Sequence, residues 1–196
     1  MTGTAARRQL ERGPDPGDEQ LIKRCLRGDQ EAWSALIDKY KNLIYSIPVK
    51  LGMRQDANDV FQAVCLRLLS ELPKLREHRA LPKWLMQTCY HECLHHVRLA
   101  KRQVELDPAQ AEEQHDDEPL PEQMLAQLEN EQLLREAIRE MPDRCGQMIR
   151  MLFFEIPARP YDEIAGELGL ATGSIGFIRG RCLARLRQYL EKRGFR

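Results

Sequence analysis

Residues 161–179 read YDEIAGELGLATGSIGFIR. Ile164, Ala165 and Leu168 recur at three- and four-residue spacing, so they share one face of a short helix. Gly169 follows, and glycine is the residue a chain needs where a helix stops in a left-handed turn. Beyond it Ile175, Ile178, Cys182 and Leu186 resume the same period and predict a second helix whose inner side meets the first. A short helix, a glycine at the turn and a second helix make the helix-turn-helix pattern. Ser174 stands at the start of that second helix, and Phe177, Arg181, Ala184 and Arg185 face outward, with Arg179 near the edge. The competing reading is an ordinary helical hairpin, against which the arginine-rich outer face weighs.

Upstream, the same period continues. Leu125, Leu128, Leu133, Leu134 and Ile138 predict a helix ending at Met141-Pro142, and a further helix is expected over Asp143–Glu155. These helices make a domain over residues 124–196. Residues 103–123 lack periodicity, hold Pro108, Pro119 and Pro121, and include the run His115-Asp116-Asp117-Glu118; they read as a flexible acidic linker.

Before the linker, four helical patterns share one core and make a domain over residues 19–102. The first, with Leu21, Ile22, Cys25 and Leu26, breaks at Gly28. Asp29 can cap the second, which runs through Trp33, Leu36, Ile37, Tyr40, Leu43, Ile44 and Ile47 and is expected to end at Pro48. The third follows Asp56 with Val60, Phe61, Val64, Cys65, Leu68, Leu69 and Leu72 inward, closed by Pro73. After a polar loop, Lys74 to Ala80, the fourth opens at Pro82, with Leu85, Met86, Cys89, Tyr90, Cys93, Leu94 and Val97 inward. Residues 1–18 carry Gly3, Gly13, Pro14, Pro16 and Gly17 without an apolar core, and read as a disordered tail and not a signal peptide. The fold class is therefore all-α: two small helical domains joined by a flexible acidic linker, the second with a helix-turn-helix.

Acidic and basic residues balance at 30 each, but their placement does not. Seven Lys/Arg stand against one Glu over 171–196, and seven against two acidic residues over 74–102. Between them, 103–141 holds twelve Asp/Glu and two Arg. Two basic segments flanking an acidic one suggest two contacts with a polyanion. The six cysteines sit in apolar helical patterns and read as buried free thiols of a reducing cytoplasm, not as a disulfide framework. No apolar run approaches the roughly 20 residues of a membrane helix.

Four stretches, in order, resemble the extracytoplasmic-function sigma factors of bacterial RNA polymerase, over about residues 19–192. LIKRCLRGDQEAWSALIDKYKNLIYSI (21–47) resembles the opening helix pair of that family, and DANDVFQAVCLRLLSEL (56–72) its polymerase-clamp helix. LPKWLMQTCYHECLHHVRLAKR (81–102) resembles the segment that melts and reads the minus-ten element. Residues 137–190, beginning AIREMPDRCG, resemble the domain that reads the minus-thirty-five element. The resemblance implies a non-enzymatic, cytoplasmic subunit without cofactor, with core RNA polymerase and promoter DNA, duplex and melted, as partners. An anti-sigma protein is a further candidate partner. Two departures stand out. The family's Gly-Thr-Val-Lys-Ser-Arg-like string is here Gly173-Ser-Ile-Gly-Phe-Ile-Arg179, and His91 and His95 stand where Asn and Asp are usual.

The candidate residues fall into three sets. On the third helix Asp56, Asp59, Gln62 and Arg67 point away from the apolar stripe. That is a solvated face by composition, and a polymerase-docking face by resemblance. On the fourth, Gln87, His91, His95, Arg98 and Arg102 form one polar stripe able to hydrogen-bond bases and phosphates, with Trp84 and Tyr90 nearby for stacking or for the core. The Lys74–Ala80 loop, with Arg76, His78 and Arg79, is where the family holds a flipped base. On the last helix Ser174, Phe177, Arg179, Arg181 and Arg185 are the duplex-facing set.

His91-Glu-Cys-Leu-His95 is also an H-E-x-x-H string, in which two histidines bind zinc and the glutamate is a general base. A catalytic zinc wants a third ligand and a cleft, and the chain supplies neither in its pattern. Cys89, His91, Cys93 and His96 make a second, adventitious metal reading. No metal site is expected. The rivals to the sigma-factor reading are a helix-turn-helix regulator of another kind and a zinc metalloprotease.

Overall fold

The structure is a computed structural model of the chain; it describes residues 17–104 and 118–195, with the side chains of 101–104 excepted. Most of the expected tail and most of the expected linker lie outside these residues. Among the described residues every regular element is helical: α1 (Asp18–Cys25), α2 (Gln30–Lys50), α3 (Ala57–Glu71), α4 (Leu81–Val104), α5 (Glu122–Glu140), α6 (Asp143–Phe153), α7 (Tyr161–Leu168) and α8 (Ile175–Lys192), with short 3₁₀ turns at Leu72–Lys74, His78–Ala80 and Thr172–Ser174. The chain divides into two compact units, Pro16–Glu129 and Asn130–Arg196.

In the first unit α1 to α4 close around Leu21, Leu36, Tyr40, Leu43, Ile44, Ile47, Val60, Val64, Leu68, Leu85 and Cys89, all fully buried. The α1–α2 corner rests on Gly28, whose φ of +83° suits glycine, and on Asp29, whose carboxylate accepts from the Ala32 N–H at 3.1 Å. Asp18 is no part of a tail. It opens α1 and ties it to α2, accepting from the Tyr40 hydroxyl at 2.8 Å and pairing with the buried Lys39 at 2.9 Å.

Pro48 does not end α2, which continues to Lys50. A proline inside a helix leaves the carbonyl four residues back without its N–H partner, here Ile44. The Cys89 thiol of α4 donates to that carbonyl at 3.3 Å. Its hydrogen bond with Cys93 and its burial both push this thiol's pKa up, so it keeps the proton it donates. The helix therefore survives its proline through a partner from another element.

The apolar stripe of α3 is narrower than its periodicity suggests. Val60, Val64 and Leu68 are buried, whereas Leu69 is 58% exposed and Leu66, one turn before it, 69%. On α4 Val97, expected inward, is also exposed. The first turns of α5 belong to this unit as well. Leu120 and Leu128 are buried in its core and Met124 and Leu125 pack against it. Burying a leucine of this kind contributes about 1.5–3 kcal/mol.

The second unit gathers the rest of α5 with α6, α7 and α8 around Ala137, Ile138, Met148, Ile149, Ile164, Ala165, Ile175 and Cys182. Gly146 lets α6 approach the end of α5, since a Cβ there would lie 3.1 Å from the Ile138 carbonyl oxygen. After α7 the chain turns through Gly169 at φ +62°, as its position predicts, and enters α8 by the 3₁₀ turn. Helix α6 stops at Phe153, two residues short of the expected end, and leaves Phe153 and Phe154 more than half exposed.

The six cysteines are not all free thiols. Cys25, Cys65, Cys89 and Cys93 are free, but Cys145 of α6 and Cys182 of α8 form a disulfide. The two lie 37 residues apart, so the apolar pattern in which each sits gave no sign that the fold would juxtapose them.

Candidate nucleic-acid interface

Helix α4 carries the first candidate surface. Its core side holds Leu85, Met86, Cys89, Tyr90 and Cys93, all buried. The 3.6-residue period then leaves Gln87, His91, His95 and Arg98 on another side; His95 is exposed, the other three half-buried. The side chain of Arg102 lies outside the described residues. Between α3 and α4 opens a cleft of about 420 Å³, lined by Arg67, Glu71, Trp84, Gln87, Thr88 and His91. Trp84 is half-buried and packs on the core with part of its ring free to line this cleft. Tyr90 is buried, which settles it as a core residue, and burial together with the Glu118 charge raises its phenol pKa.

Gln87 and His91 are not bare. The Gln87 amide oxygen accepts from the Leu120 backbone N–H at 3.1 Å, and its nitrogen donates to the Glu118 carbonyl at 3.2 Å. His91 Nε2 lies 3.0 Å from the same carbonyl. With its proton on Nε2, His91 donates to this carbonyl; with the proton on Nδ1, Nε2 accepts from the Gln87 amide nitrogen 2.7 Å away.

Glu92 of the H-E-x-x-H string is only 5% exposed and faces α3, where Arg67 Nε pairs with it at 2.5 Å. It turns away from the His91–His95 side and is already neutralised, so it is not placed as a general base toward those histidines. Arg67, counted among the outward residues of α3, is in turn committed to holding α3 against α4. The remaining outward residues of α3 do share a surface: Asp59 and Gln62 are exposed, followed by the exposed Leu66 and Leu69. Asp56 is half-buried ahead of the first turn and makes no side-chain cap. Tyr45 of α2 fixes the start of α3, stacking on Phe61 with centroids 4.6 Å apart and donating to Asn58 at 3.0 Å.

The second surface is on α8. Arg181 and Arg185 are exposed, and Phe177 is 71% exposed with the Arg181 guanidinium over its ring at 5.8 Å. Arg179 is half-buried and reaches back to α7, donating to the Tyr161 hydroxyl and lying over its ring. Ser174 turns its hydroxyl to the Ala171 carbonyl at 2.7 Å. Of the five expected residues, three point freely outward and two brace the turn.

A family model for sigma-70 region 2 matches residues 36–103, the stretch from mid-α2 through α4. Along nearly the whole chain, 184 aligned residues are 22% identical to the ECF RNA polymerase sigma-E factor of Haemophilus influenzae, covering 90% of this chain and 94% of that one. The RNA polymerase sigma-H factor of Pseudomonas aeruginosa is 24% identical over 184 residues, covering 89% and 92%. The region 2 match and these relatives together support an extracytoplasmic-function sigma factor. The ECF RNA polymerase sigma factor SigW of Bacillus subtilis is similar as well, 24% identical over 146 residues.

Three features of the chain carry little local signal in the sequence. Leu120 sits between Pro119 and Pro121 in an acidic stretch, where composition hid a single apolar anchor. The exposure of Leu66 and Leu69 was foreshadowed by α3, whose apolar residues cover more of its circumference than one neighbour can bury. The pairing of Glu92 with Arg67 had no local signal, because the partners are 25 positions apart in sequence.

Proposed function

We propose that this chain is a sigma factor that directs bacterial RNA polymerase to promoters by dividing recognition between its two compact units, Pro16–Glu129 and Asn130–Arg196, with the acidic segment lying in sequence between α4 and α5. The outward face of α8, with Phe177, Arg181 and Arg185, meets duplex DNA. Ser174 and Arg179 hold the helix at its angle to α7. The Gln87–His91–His95–Arg98 side of α4 holds the melted strand. Stacking against Trp84 and hydrogen bonds from amide and imidazole groups suit unpaired bases. The α3 surface of Asp59, Gln62, Leu66 and Leu69 docks on core polymerase, an exposed mixed face unlike a purely solvated one. Strand opening then needs no chemistry; the melted state is bound more tightly than the duplex. The protein is no enzyme and works in the cytoplasm. No described helix is long and apolar enough to cross a membrane. The acidic segment tracks a basic channel of polymerase that otherwise takes RNA, and an anti-sigma protein is a candidate regulator.

The observation that carries this reading is the sigma-70 region 2 match over 36–103, which spans α3 and α4, the helices bearing the proposed polymerase and melted-strand surfaces. The test is run-off transcription from a cognate promoter with purified core polymerase. The chain should support initiation. Asp59→Lys with Gln62→Ala should weaken core binding while leaving the helical circular-dichroism signal intact. His91→Ala and His95→Ala should slow strand opening yet be rescued by a pre-melted minus-ten bubble. Failure of rescue would remove α4 from strand trapping.

A further inference from the structure

The segment after the acidic stretch occupies the side chains that α4 would offer to DNA. Glu118 presents a carbonyl to Gln87 and His91, and Leu120 presents an N–H to Gln87. An acceptor and a donor side by side are what an adenine edge offers a glutamine, through N7 and N6. The peptide thus satisfies Gln87 at both ends of its amide, as a base would. It is fastened by Leu120, buried beside α4, and by Leu128 one helix segment later. The same two α4 residues line the mouth of the 420 Å³ cleft, together with Trp84.

We infer that residues Glu118–Leu120 are an autoinhibitory strap, an internal stand-in for a base edge that keeps the α4 face of the free sigma factor from single-stranded DNA. This rests on the reading of that face as the strand-holding surface. DNA and strap compete for the same amide and imidazole groups, so the face binds a strand only in the fraction of molecules whose strap is off. Apparent affinity falls by that fraction. Pro119 and Pro121 restrict the backbone on either side of Leu120, so its N–H is held where Gln87 meets it at little entropic cost. The strap needs no second protein, and it leaves the α8 arginines free to meet duplex first.

The test uses the full chain and a fluorescein-labelled single-stranded DNA oligonucleotide of mixed sequence, read by anisotropy. Leu120→Ser should bind the oligonucleotide about tenfold more tightly than the natural chain, the gain expected if roughly nine molecules in ten are strapped. Gln123→Ala, an exposed position in the first turn of α5, should leave binding unchanged. In the natural chain the Leu120 amide should be protected from hydrogen exchange, and that protection should vanish in Leu120→Ser and in the promoter complex with polymerase. A fast-exchanging Leu120 amide in the free natural chain overturns the strap. So does a folded, deprotected Leu120→Ser that binds no more tightly while adding His91→Ala still weakens it; the face then stands and the strap does not. If His91→Ala has no effect in the released background, the strand-holding reading of α4 falls and the strap with it. Should Leu120→Ser melt below the working temperature, exchange at Leu120 in the natural chain, free and in the promoter complex, decides the matter alone.

Discussion

The polar faces of α4 and α8 carry similar chemistry in opposite surroundings. On α4 the polar groups are an amide, two imidazoles and the Arg98 guanidinium, all half-buried except His95, with a tryptophan at hand, and two of them are already hydrogen-bonded to the chain itself. On α8 they are guanidinium groups in open solvent beside an exposed phenylalanine. Sheltered neutral donors discriminate by hydrogen-bond geometry and lose a great deal if left unpaired. Exposed cations act at longer range, tolerate imprecise geometry and weaken with salt. The difference suits a domain that captures bases singly and one that finds a duplex. It extends to how the two units are held: the first by a large core and a capped corner, the second by a smaller core and a covalent tie.

The largest effect should come from cutting that tie. Cys145→Ser, or a reductant, should destabilise the second unit by about 2–4 kcal/mol, as expected for a loop of this length. The first unit, whose cysteines are free, should not respond. Thermal melts with and without dithiothreitol, followed by tryptophan fluorescence for the first unit (Trp33 and Trp84) and by hydrogen exchange of the α6 and α8 amides for the second, separate the two. A first-unit transition that moves with reductant would break the contrast.

Next comes the α3–α4 pair. Arg67→Ala leaves Glu92 buried without its cation and should cost about 1–3 kcal/mol by urea unfolding. Adding Glu92→Gln should restore a good part of the loss, since an amide is cheaper to bury than a carboxylate. Without recovery in the double variant, Arg67 matters for something other than Glu92.

The comparison of the two faces is sharpened by DNA itself. Arg181→Ala should weaken duplex binding by the holoenzyme about tenfold and reduce the salt slope by about one, the signature of a lost phosphate contact. His91→Ala should leave both nearly unchanged and show itself only in strand opening, by permanganate footprinting. Equal losses of duplex binding in the two variants would merge faces that are read here as distinct.

The smallest effect belongs to the Asp29 cap. The Ala32 N–H, and after it Arg24, hold this carboxyl below its usual range. A lowered pKa in the folded state means that the cap adds stability above its unfolded value of about 4 and loses it as pH falls through the lowered one. Asp29→Ala should therefore depress the melting temperature of the first unit slightly at neutral pH and not at all in strong acid. A depression equal at both pH values would show that the side chain acts other than as a charged cap.

The sequence by itself determined the helices and most of their inward faces. A 3.6-residue period is written in neighbours, and Asp29, Gly28 and Gly169 mark their turns chemically. The outward residues of α8 were legible for the same reason. Long-range events were not. The disulfide joins Cys145 and Cys182 from two helices, Glu92 meets Arg67 across another pair, and Pro48 stays helical because Cys89 supplies a donor from α4. Leu120 was read as linker because one leucine among prolines and acids sets no period. Only the fold, by bringing the far side of α4 within hydrogen-bonding distance of Glu118 and Leu120, decided that this stretch has a binding partner and that Gln87 and His91 already have one.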